Sequence, residues 1–349
     1  MSHKYSILFI FLLILSVFSC EEDPETIISV PENDRTEQQL TDKDSLIGYL
    51  SSHYYNSSEV NSLANPTMQD LVIIELLDGE ELPSDYSFLI DDVETKMTTH
   101  MDIEYEYYIL RIKQGEGELS PEFSDDIKIN YWGSLTDGSV FDQTTTPVVF
   151  DLSTLLPGWH RVIPEFNASS SFVSNSDGSV SYNGFGMGAM FIPSGLAYYA
   201  VYQTGIPSYS NLVFKFELMQ TESNDHDSDN IPSYMEVSDS NEYDLYGFDT
   251  DDDIAPNFLD IDDDADGTIT SEEIQIEAYS DTTLSGLQTT LNTIDLLSNQ
   301  FLSSISSANG TFNANLITLV DSNQNGIPNY LDATESDIID KALKVIGRK

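Results

Sequence analysis

Ile127-Lys128-Ile129-Asn130-Tyr131-Trp132-Gly133 opens the part of the chain that decides the fold, residues 128–218. Apolar and polar side chains alternate along this run, which predicts a strand with one buried face. The part closes with Leu212-Val213-Phe214-Lys215-Phe216-Glu217-Leu218, and aromatic residues recur at the strand ends in between. This recurrence is unusual for a plain hydrophobic core, so these aromatic residues are candidates for a functional site.

More strands are predicted on both sides of the opening run. Residues 105–112 are rich in strand formers and end at the turn Gly115-Glu116-Gly117. Strands are expected near 126–133, 140–142, 148–152, 188–193 and 211–220, with a short helical turn near 153–166 and a surface hairpin turning at Asp177-Gly178. Antiparallel strands with one helix packed on one face make an α+β domain.

The composition restricts the partners. The chain has 349 residues, of which 60 are acidic and 13 are basic, and its formal net charge is −47. A field of this sign repels the phosphates of nucleic acids and attracts divalent cations. We therefore expect a cation as a partner and no nucleic acid.

The first residues predict an export signal. Lys4 precedes an apolar run at 5–18, which is shorter than the roughly 20 residues that a membrane-spanning helix needs. Val17-Phe18-Ser19-Cys20 resembles the bacterial lipobox, and Cys20 is the only cysteine. The resemblance implies lipidation of Cys20 and anchoring in the cell envelope, most simply at the outer membrane. An ordinary cleaved signal is the alternative.

The domain organisation follows from shifts in composition. After the signal at 1–20, a flexible tether is expected at 21–42 and an N-terminal extension with a short helix, about 43–55, at 43–104. The central domain covers 105–222 and acidic repeats cover 223–275. Helical segments are expected at 276–349, with one amphipathic helix from about 283 to 305 and another at 336–347.

Several motifs of the central domain occur together in one order. They are Tyr131-x-Gly133, Asp137-Gly138-x-Val140-Phe141-Asp142, Pro157-Gly158-Trp159, Ile192-Pro193-Ser194-x-Leu196-Ala197-Tyr198, Ile206-Pro207 and Leu212-x-Phe214-x-x-Glu217-Leu218. The set resembles the FKBP-type peptidyl-prolyl cis-trans isomerases over about a third of the chain. An FKBP-like antiparallel sheet wrapped on a short helix is the fold that this resemblance implies.

The resemblance also implies a catalytic pocket for the Xaa-Pro bonds of exported or envelope proteins, with no cofactor for catalysis. The implied pocket has Trp159 as its floor, Tyr131, Phe141 and Phe214 as walls, Leu155 and Leu156 as apolar contacts, Tyr198 as hydroxyl donor, Asp142 at the rim and Ile206 on the far side. Val148 and Tyr199 differ from the residues that the family usually has. Core packing of the aromatic residues, and an Asx turn at Asp142, are the alternatives.

The clearest acidic repeat is Asp262-Asp263-Asp264-Ala265-Asp266-Gly267-Thr268-Ile269-Thr270-Ser271-Glu272-Glu273. It matches the twelve-residue calcium loop, which has carboxylates at positions 1, 3 and 5, glycine at 6, a carbonyl at 7 and glutamate at 12. We name it loop 3 (262–273). The predicted ligands are Asp262, Asp264, Asp266, the carbonyl of Thr268, and Glu273.

Three related units surround loop 3. They are loop 1 (225–236), loop 2 (249–260) and loop 4 (321–332), and the first and second lack the glycine at position 6. Together the four units resemble thrombospondin type 3 repeats, which implies structural Ca²⁺; a solvated acidic tail is the alternative. The predicted ligands are Asp225, Asp227, Asp229 and Glu236 in loop 1, Asp249, Asp251, Asp253 and Asp260 in loop 2, and Asp321, Asn323, Asn325 and Asp332 in loop 4.

Two functions are consistent with the sequence. The first is a lipid-anchored prolyl isomerase or chaperone, followed by a calcium-stabilised repeat module with few short helices. The second is a non-catalytic lipoprotein that binds proline-containing peptides or acts in surface adhesion.

Overall fold

The computed structural model describes residues 32–237, 243–303, 305–308, 310–335 and 339. The helices are α1 (Arg35–Ser52), α2 (Ser57–Ser62), α3 (Leu89–Asp92), α4 (Pro157–Val162), α5 (Thr270–Glu273) and α6 (Leu284–Leu291). The strands are β1 (His53–Tyr55), β2 (Ile73–Glu75), β3 (Ser87–Phe88), β4 (Glu94–His100), β5 (Ile103–Lys113), β6 (Asp126–Leu135), β7 (Val140–Gln143), β8 (Val148–Asp151), β9 (Ser171–Ser174), β10 (Val180–Asn183), β11 (Gly186–Ile192), β12 (Leu212–Glu222), β13 (Ile274–Asp281), β14 (Gln300–Leu302), β15 (Ser306–Ala308) and β16 (Thr311–Leu319).

A seven-stranded antiparallel sheet forms the centre, with the order β4-β5-β11-β12-β6-β7 and with β8 also paired to β6. The predicted mixture of helices and antiparallel strands is confirmed. Because β4 pairs along the whole of its length with β5, the sheet begins before residue 105, the predicted start of the central domain. The predicted hairpin at Asp177-Gly178 forms between β9 and β10.

Alternation along the strands gives the sheet two buried faces. On β5, Tyr105, Tyr107 and Ile109 lie on the face that packs against α4. Tyr108 and Leu110 lie on the opposite face, which α1 covers. Both faces are therefore apolar, although the sequence predicted only one helix over the sheet.

Helix α1 corrects the predicted tether and the predicted short helix. It begins at Arg35, so residues 35–42 are helical and not a flexible tether. Its buried residues recur every four positions, as Gln38, Asp42, Leu46 and Leu50. The apolar pattern starts only at Leu46 because the first two buried positions carry polar side chains. The helix start was therefore predicted too late.

The C-terminal part corrects the predicted helical segments at 276–349. It contains a four-stranded antiparallel sheet, β13-β16-β14 with β15 also on β16, and its described residues form one α-helix, α6. The predicted helix 283–305 ends at Leu291 because Phe301 pairs with Ile317 and is buried with it in a small core. The predicted helix 336–347 lies outside the described residues, apart from Ile339.

The N-terminal signal and Cys20 also lie outside the described residues. Within the described part of the chain, no helix combines the length and the apolar character needed to cross a membrane. Lipidation at Cys20 stays a prediction.

Candidate functional site: an aromatic pocket and four acidic loops

Four aromatic rings meet at one end of the central sheet. The ring of Trp159 lies 5.2 Å from that of Phe214 and 5.6 Å from that of Tyr131, and the ring of Phe141 lies 5.5 Å from that of Phe214. These pairs are close to edge-on, with interplanar angles of 74–85°. Edge-on contacts between aromatic rings are favourable and stabilise this cluster.

Local backbone features allow this arrangement. Gly133 on β6 faces the rings, since a Cβ atom there would lie 2.6 Å from Phe141 and 2.9 Å from Phe214. Pro157 occupies the first turn of α4, where its missing N–H costs nothing. Gly158 follows and lets the helix approach Ile192, whose side chain would be 2.8 Å from an added Cβ. Trp159 is thereby held against the sheet.

The remaining predicted apolar residues join the same cluster. Ile206 is buried in it, and Leu155, Leu156 and Tyr198 are partly buried against it. The 3-10 turn Leu152–Thr154 leads to Leu155 and Leu156, and the 3-10 turn Ser194–Leu196 leads to Tyr198. The structure therefore brings all of the predicted pocket residues together, with part of their surface accessible.

Asp142 is the exposed polar member of this group. The hydroxyl of Tyr131 donates to Oδ2 of Asp142, and the backbone N–H of Tyr131 donates to Thr144 Oγ1 at 2.9 Å. Burial, with the hydrogen bond to Asp142 second, raises the pKa of Tyr131. Tyr131 is thus a neutral donor whose hydroxyl is held at the rim by a carboxylate.

Val148 and Tyr199, the two positions that differ from the family pattern, both pack with aromatic rings. Val148 is partly buried against the cluster, while Phe150, two residues later on β8, lies with its ring 5.8 Å from that of Tyr131. Phe150 was not predicted as a site residue. Its alternation with Val148 along the strand was the signal that could have identified it.

Tyr199 has a positive φ of 52°, where a glycine is the usual residue. Its ring lies 5.2 Å from that of Tyr209, and the guanidinium group of Arg35 lies 3.9 Å above it. Tyr199 is buried, so its side chain packs against the start of α1. This contact with a helix distant in sequence could not be predicted from the motif.

The four acidic loops share one backbone conformation. Position 6 has a positive φ in each loop: 84° at Asn230, 92° at Ile254, 97° at Gly267 and 94° at Gly326. In loops 1, 2 and 4 the N–H at position 6 donates to the carboxylate at position 1, over 3.1, 3.1 and 2.9 Å. The two loops that lack the glycine therefore form the same turn.

Three groups of carboxylates are close enough to share a cation. Oxygen atoms lie within 4.8 Å of one another in each group, and the search covers the described residues alone. The groups are Asp249, Asp251 and Asp253 of loop 2, Asp262, Asp264 and Asp266 of loop 3, and Asp227, Asp229 and Glu236 of loop 1 together with Asp263 of loop 3. Asp263 was not among the predicted ligands.

The predicted ligands at the ends of the loops differ in their hydrogen bonds. Glu273 has a buried Oε1 without a hydrogen-bond partner, as does Asp225 at Oδ1. Asp260 Oδ1 accepts instead from the N–H of Asp262, and the carbonyl of Thr268 stays a predicted ligand. In loop 4 the amides of Asn323 and Asn325 donate to Oδ2 of Asp332, over 3.0 and 2.7 Å.

The asparagine amides of loop 4 are hydrogen-bonded to Asp332, and the four predicted ligands of this loop stay predictions. Among the described residues, Asp321 joins no group of carboxylates. Hydrogen bonds from Thr334 and Asn323 lower the pKa of Asp332 to about 2. Loop 4 is therefore satisfied by its own side chains, unlike the other three.

Carboxylates of loops 1 and 3 have raised pKa values, in contrast to the lowered pKa of Asp332. Burial, followed by the other carboxylates, raises the pKa of Asp229 to about 8, that of Glu236 to about 10 and that of Glu273 to about 8. A buried carboxylate without a cation is unfavourable in its charged form. A metal ion bound between these carboxylates would offset their mutual repulsion and their burial.

Comparisons with known proteins separate the two parts of the chain. The chain is 32% identical over 121 residues to the FKBP-type peptidyl-prolyl cis-trans isomerase FkpA of Aeromonas hydrophila, a match that covers 34% of this chain and 39% of that protein. It is also 30% identical over 112 residues to the FKBP-type 22 kDa peptidyl-prolyl cis-trans isomerase of Escherichia coli. That match covers 31% of this chain and 47% of the relative. About a third of the chain is homologous to FKBP-type peptidyl-prolyl cis-trans isomerases. The match spans less than half the length of these two relatives.

A solved structure of FkpA from Escherichia coli is 28% identical to this chain, with a TM-score of 0.28, and the alignment covers 36% of this chain and 51% of that one. A family model described as BamM C-terminal matches residues 226–304, which begin in loop 1 and end after β14. The FKBP-type resemblance seen in the motifs is confirmed as homology. The roles of the individual pocket residues stay predictions.

Proposed function

We propose that the chain is a peptidyl-prolyl cis-trans isomerase or chaperone that acts on Xaa-Pro bonds of exported proteins. The observation that carries this proposal is the cluster of Trp159, Tyr131, Phe141 and Phe214 in a chain whose relatives are FKBP-type isomerases. The proline ring binds over Trp159 between the other rings. Tyr198 donates its hydroxyl to the substrate carbonyl.

Such a pocket needs no nucleophile and no cofactor. Rotation about the Xaa-Pro amide faces a barrier of roughly 20 kcal/mol, because the planar amide is stabilised by resonance. The planar form is the more polar one, so transfer from water to an apolar pocket weakens it relative to the twisted transition state. Asp142 orients the Tyr131 hydroxyl at the rim and leaves the interior apolar.

The test is an isomerisation assay of the full chain on a proline-containing peptide. Tyr198→Phe removes one hydrogen bond, worth about 1 kcal/mol, and is expected to lower kcat/KM about fivefold. Tyr202→Phe is the matched control, since Tyr202 is 68% exposed and only four residues away. Binding of the peptide without turnover by the unaltered chain would favour the non-catalytic peptide-binding or adhesion lipoprotein. No binding and no turnover would exclude both pocket functions.

We also propose that loops 1, 2 and 3 hold structural Ca²⁺. Buried carboxylate oxygens without hydrogen-bond partners support this proposal, among them Oδ1 of Asp249 and of Asp262 and Oδ2 of Asp264 and of Asp266. Calcium takes six to eight oxygen ligands, and carboxylates on alternate residues of a tight turn can supply them. The unfolding temperature of the full chain is expected to rise in calcium over that in chelator. Equal temperatures in the two conditions would contradict the proposal.

We place the chain in the bacterial cell envelope, anchored to the membrane by a lipid on Cys20. The lipobox resemblance at 17–20 supports this location, and exported or envelope proteins with exposed prolines are the expected partners. Labelled fatty acid is expected in the wild-type chain and not in Cys20→Ser. Equal labelling of the two chains would contradict lipidation.

A further inference from the structure

Four carboxylates from two different loops meet in a buried place. Asp227, Asp229 and Glu236 come from loop 1, and Asp263 comes from position 2 of loop 3, a position that is not a ligand in a twelve-residue calcium loop. Asp229, Glu236 and Asp263 are 2%, 1% and 2% exposed. One oxygen atom of each of the four lies within 4.8 Å of one oxygen of every other.

The facing oxygen atoms have no partner in the protein. They are Oδ2 of Asp227, Oδ2 of Asp229 and both carboxylate oxygens of Glu236 and of Asp263. None of the ion pairs formed by the described residues involves any of these four side chains. Buried charges are paired in folded proteins or coordinate metals. These four carboxylates are therefore suited to hold a cation between them.

We propose that Asp227, Asp229, Glu236 and Asp263 hold one divalent cation, Ca²⁺, which links loop 1 to loop 3. The proposal rests on the proposed calcium binding of the loops and names a ligand, Asp263, and a connection between loops that the repeat pattern does not contain. A hard cation with oxygen ligands fits because all four side chains offer oxygen atoms. The four side chains include no cysteine and no histidine, the ligands that softer metal ions prefer.

The shared ion explains why these loops are packed together. Loop 1 contributes Ile231 and loop 4 contributes Tyr330 to one small core with Ile274, which follows loop 3 directly. Burial, followed by the nearby charges of Asp263, Glu236 and Asp229, raises the pKa of Tyr330, so this ring lies beside the site. Without a cation, the core would have to hold mutually repelling carboxylates at its edge.

Calorimetric titration of calcium into the chelator-treated full chain tests the proposal. Asp263→Asn keeps the size of the side chain and is expected to remove one calcium from the stoichiometry, or to weaken one site at least tenfold. Asp252→Asn is the matched control, because Asp252 lies exposed in loop 2 and belongs to none of the carboxylate groups. Unchanged calcium binding by Asp263→Asn, in a chain whose wild type binds calcium, would overturn the proposal.

A double variant separates one shared ion from two independent ions. Glu236→Gln removes a ligand from loop 1, so Glu236→Gln and Asp263→Asn together are expected to lose the same single calcium that each loses alone. Loss of two calcium ions by the double variant would show separate sites and overturn the shared one. If the wild type itself binds no calcium, the proposed function of the loops fails first, and that result is distinct from either outcome above.

The unfolding temperature in calcium and in chelator gives a readout besides calorimetry. Because Asp263→Asn removes one ligand, the rise in unfolding temperature that calcium causes is expected to be smaller in this variant than in the wild type. A full calcium-induced rise in Asp263→Asn would contradict the proposal. Asp263→Ser, which also lacks the charge, repeats the comparison if the asparagine variant does not fold.

Discussion

Replacement of Asp42 by alanine is expected to destabilise the chain and to lower the activity of the pocket, although Asp42 lies on α1. Its carboxylate is 2% exposed. Oδ2 accepts from the N–H and the hydroxyl of Ser194, over 2.9 and 2.6 Å, and Oδ1 accepts from Gln38 Nε2 at 2.7 Å. Ser194 opens the 3-10 turn that leads to Tyr198, so this carboxylate fixes the start of a pocket segment.

The size of the effect follows from the groups that lose their acceptor. In Asp42→Ala the Ser194 N–H keeps Asn211 Oδ1 as an acceptor at 3.1 Å, whereas the Ser194 hydroxyl loses Asp42 as its acceptor. A buried donor left without a partner costs about 1–3 kcal/mol. Burial of the carboxylate, which raises the pKa of Asp42, offsets part of this cost. We expect a net loss of about 1–2 kcal/mol in the free energy of unfolding.

Urea unfolding of the full chain measures the free energy of unfolding, and the peptide assay measures kcat/KM. Asp44→Ala is the control, because Asp44 lies exposed on the same helix; its free energy of unfolding should stay within about 0.5 kcal/mol of the wild type. If Asp42→Ala also stays within that range, the contact with Ser194 does not stabilise the fold. If stability falls and kcat/KM does not, α1 does not position Tyr198.

Three further results are expected. Ile254→Gly should raise the free energy of unfolding by about 1 kcal/mol, because Ile254 is β-branched, 92% exposed and has a φ of 92°. Gly326→Ala should lower the free energy of unfolding by a similar amount, because Gly326 has a φ of 94°. Denaturant unfolding in calcium measures both changes. Burial raises the pKa of Asp42 above 3.8, so this group should stabilise the fold as the pH falls through the raised value toward 3.8. Asp42→Asn should lack this gain in stability. Urea unfolding of both chains from pH 7 to pH 4 measures the difference. Phe150→Leu should lower the free energy of unfolding by about 1 kcal/mol, because it removes the ring contact with Tyr131; denaturant unfolding measures the change, and equal stability would show that this contact does not stabilise the aromatic cluster.

Local sequence patterns predicted the central strands and the members of the aromatic cluster. Alternation along β6 and the composition of β5 are properties of short segments, so they can be read without tertiary information. The predicted pocket residues were identified for another reason, since Pro157, Gly158 and Trp159 form part of an ordered set of motifs that resembles the FKBP-type family. Both signals are independent of where the rest of the chain packs.

Tertiary contacts decided the parts that the sequence did not predict. Leu284, Leu287 and Leu291 lie at helical spacing, and the spacing continues to Phe301, but burial of Phe301 beside Ile317 makes that residue part of a strand. Leu297 is 63% exposed, although the helical pattern placed it on the buried face. Helical spacing alone cannot distinguish an apolar residue that extends a helix from one that a distant strand recruits.

The predicted pocket segments and the repeats also contact each other. His226 Nε2 of loop 1 lies 3.2 Å from Asp151 Oδ2, the side chain that caps the turn leading to Leu155. The guanidinium group of Arg161, two residues after Trp159, lies 4.3 Å above the ring of Tyr243. Pocket residues and repeat residues thus belong to one packed unit.

A change in loop 1 is therefore expected to act on the central domain. Asp125, which precedes β6, accepts from the N–H of Asn224 at 3.4 Å, just before loop 1 begins. Phe123 packs with Leu245 and Phe258 of the repeat module in a small core of its own. These contacts join residues that are distant in sequence and hold the segment before β6 against the repeat module. Removal of the proposed cation from loop 1 is then expected to perturb the central domain as well as the repeats.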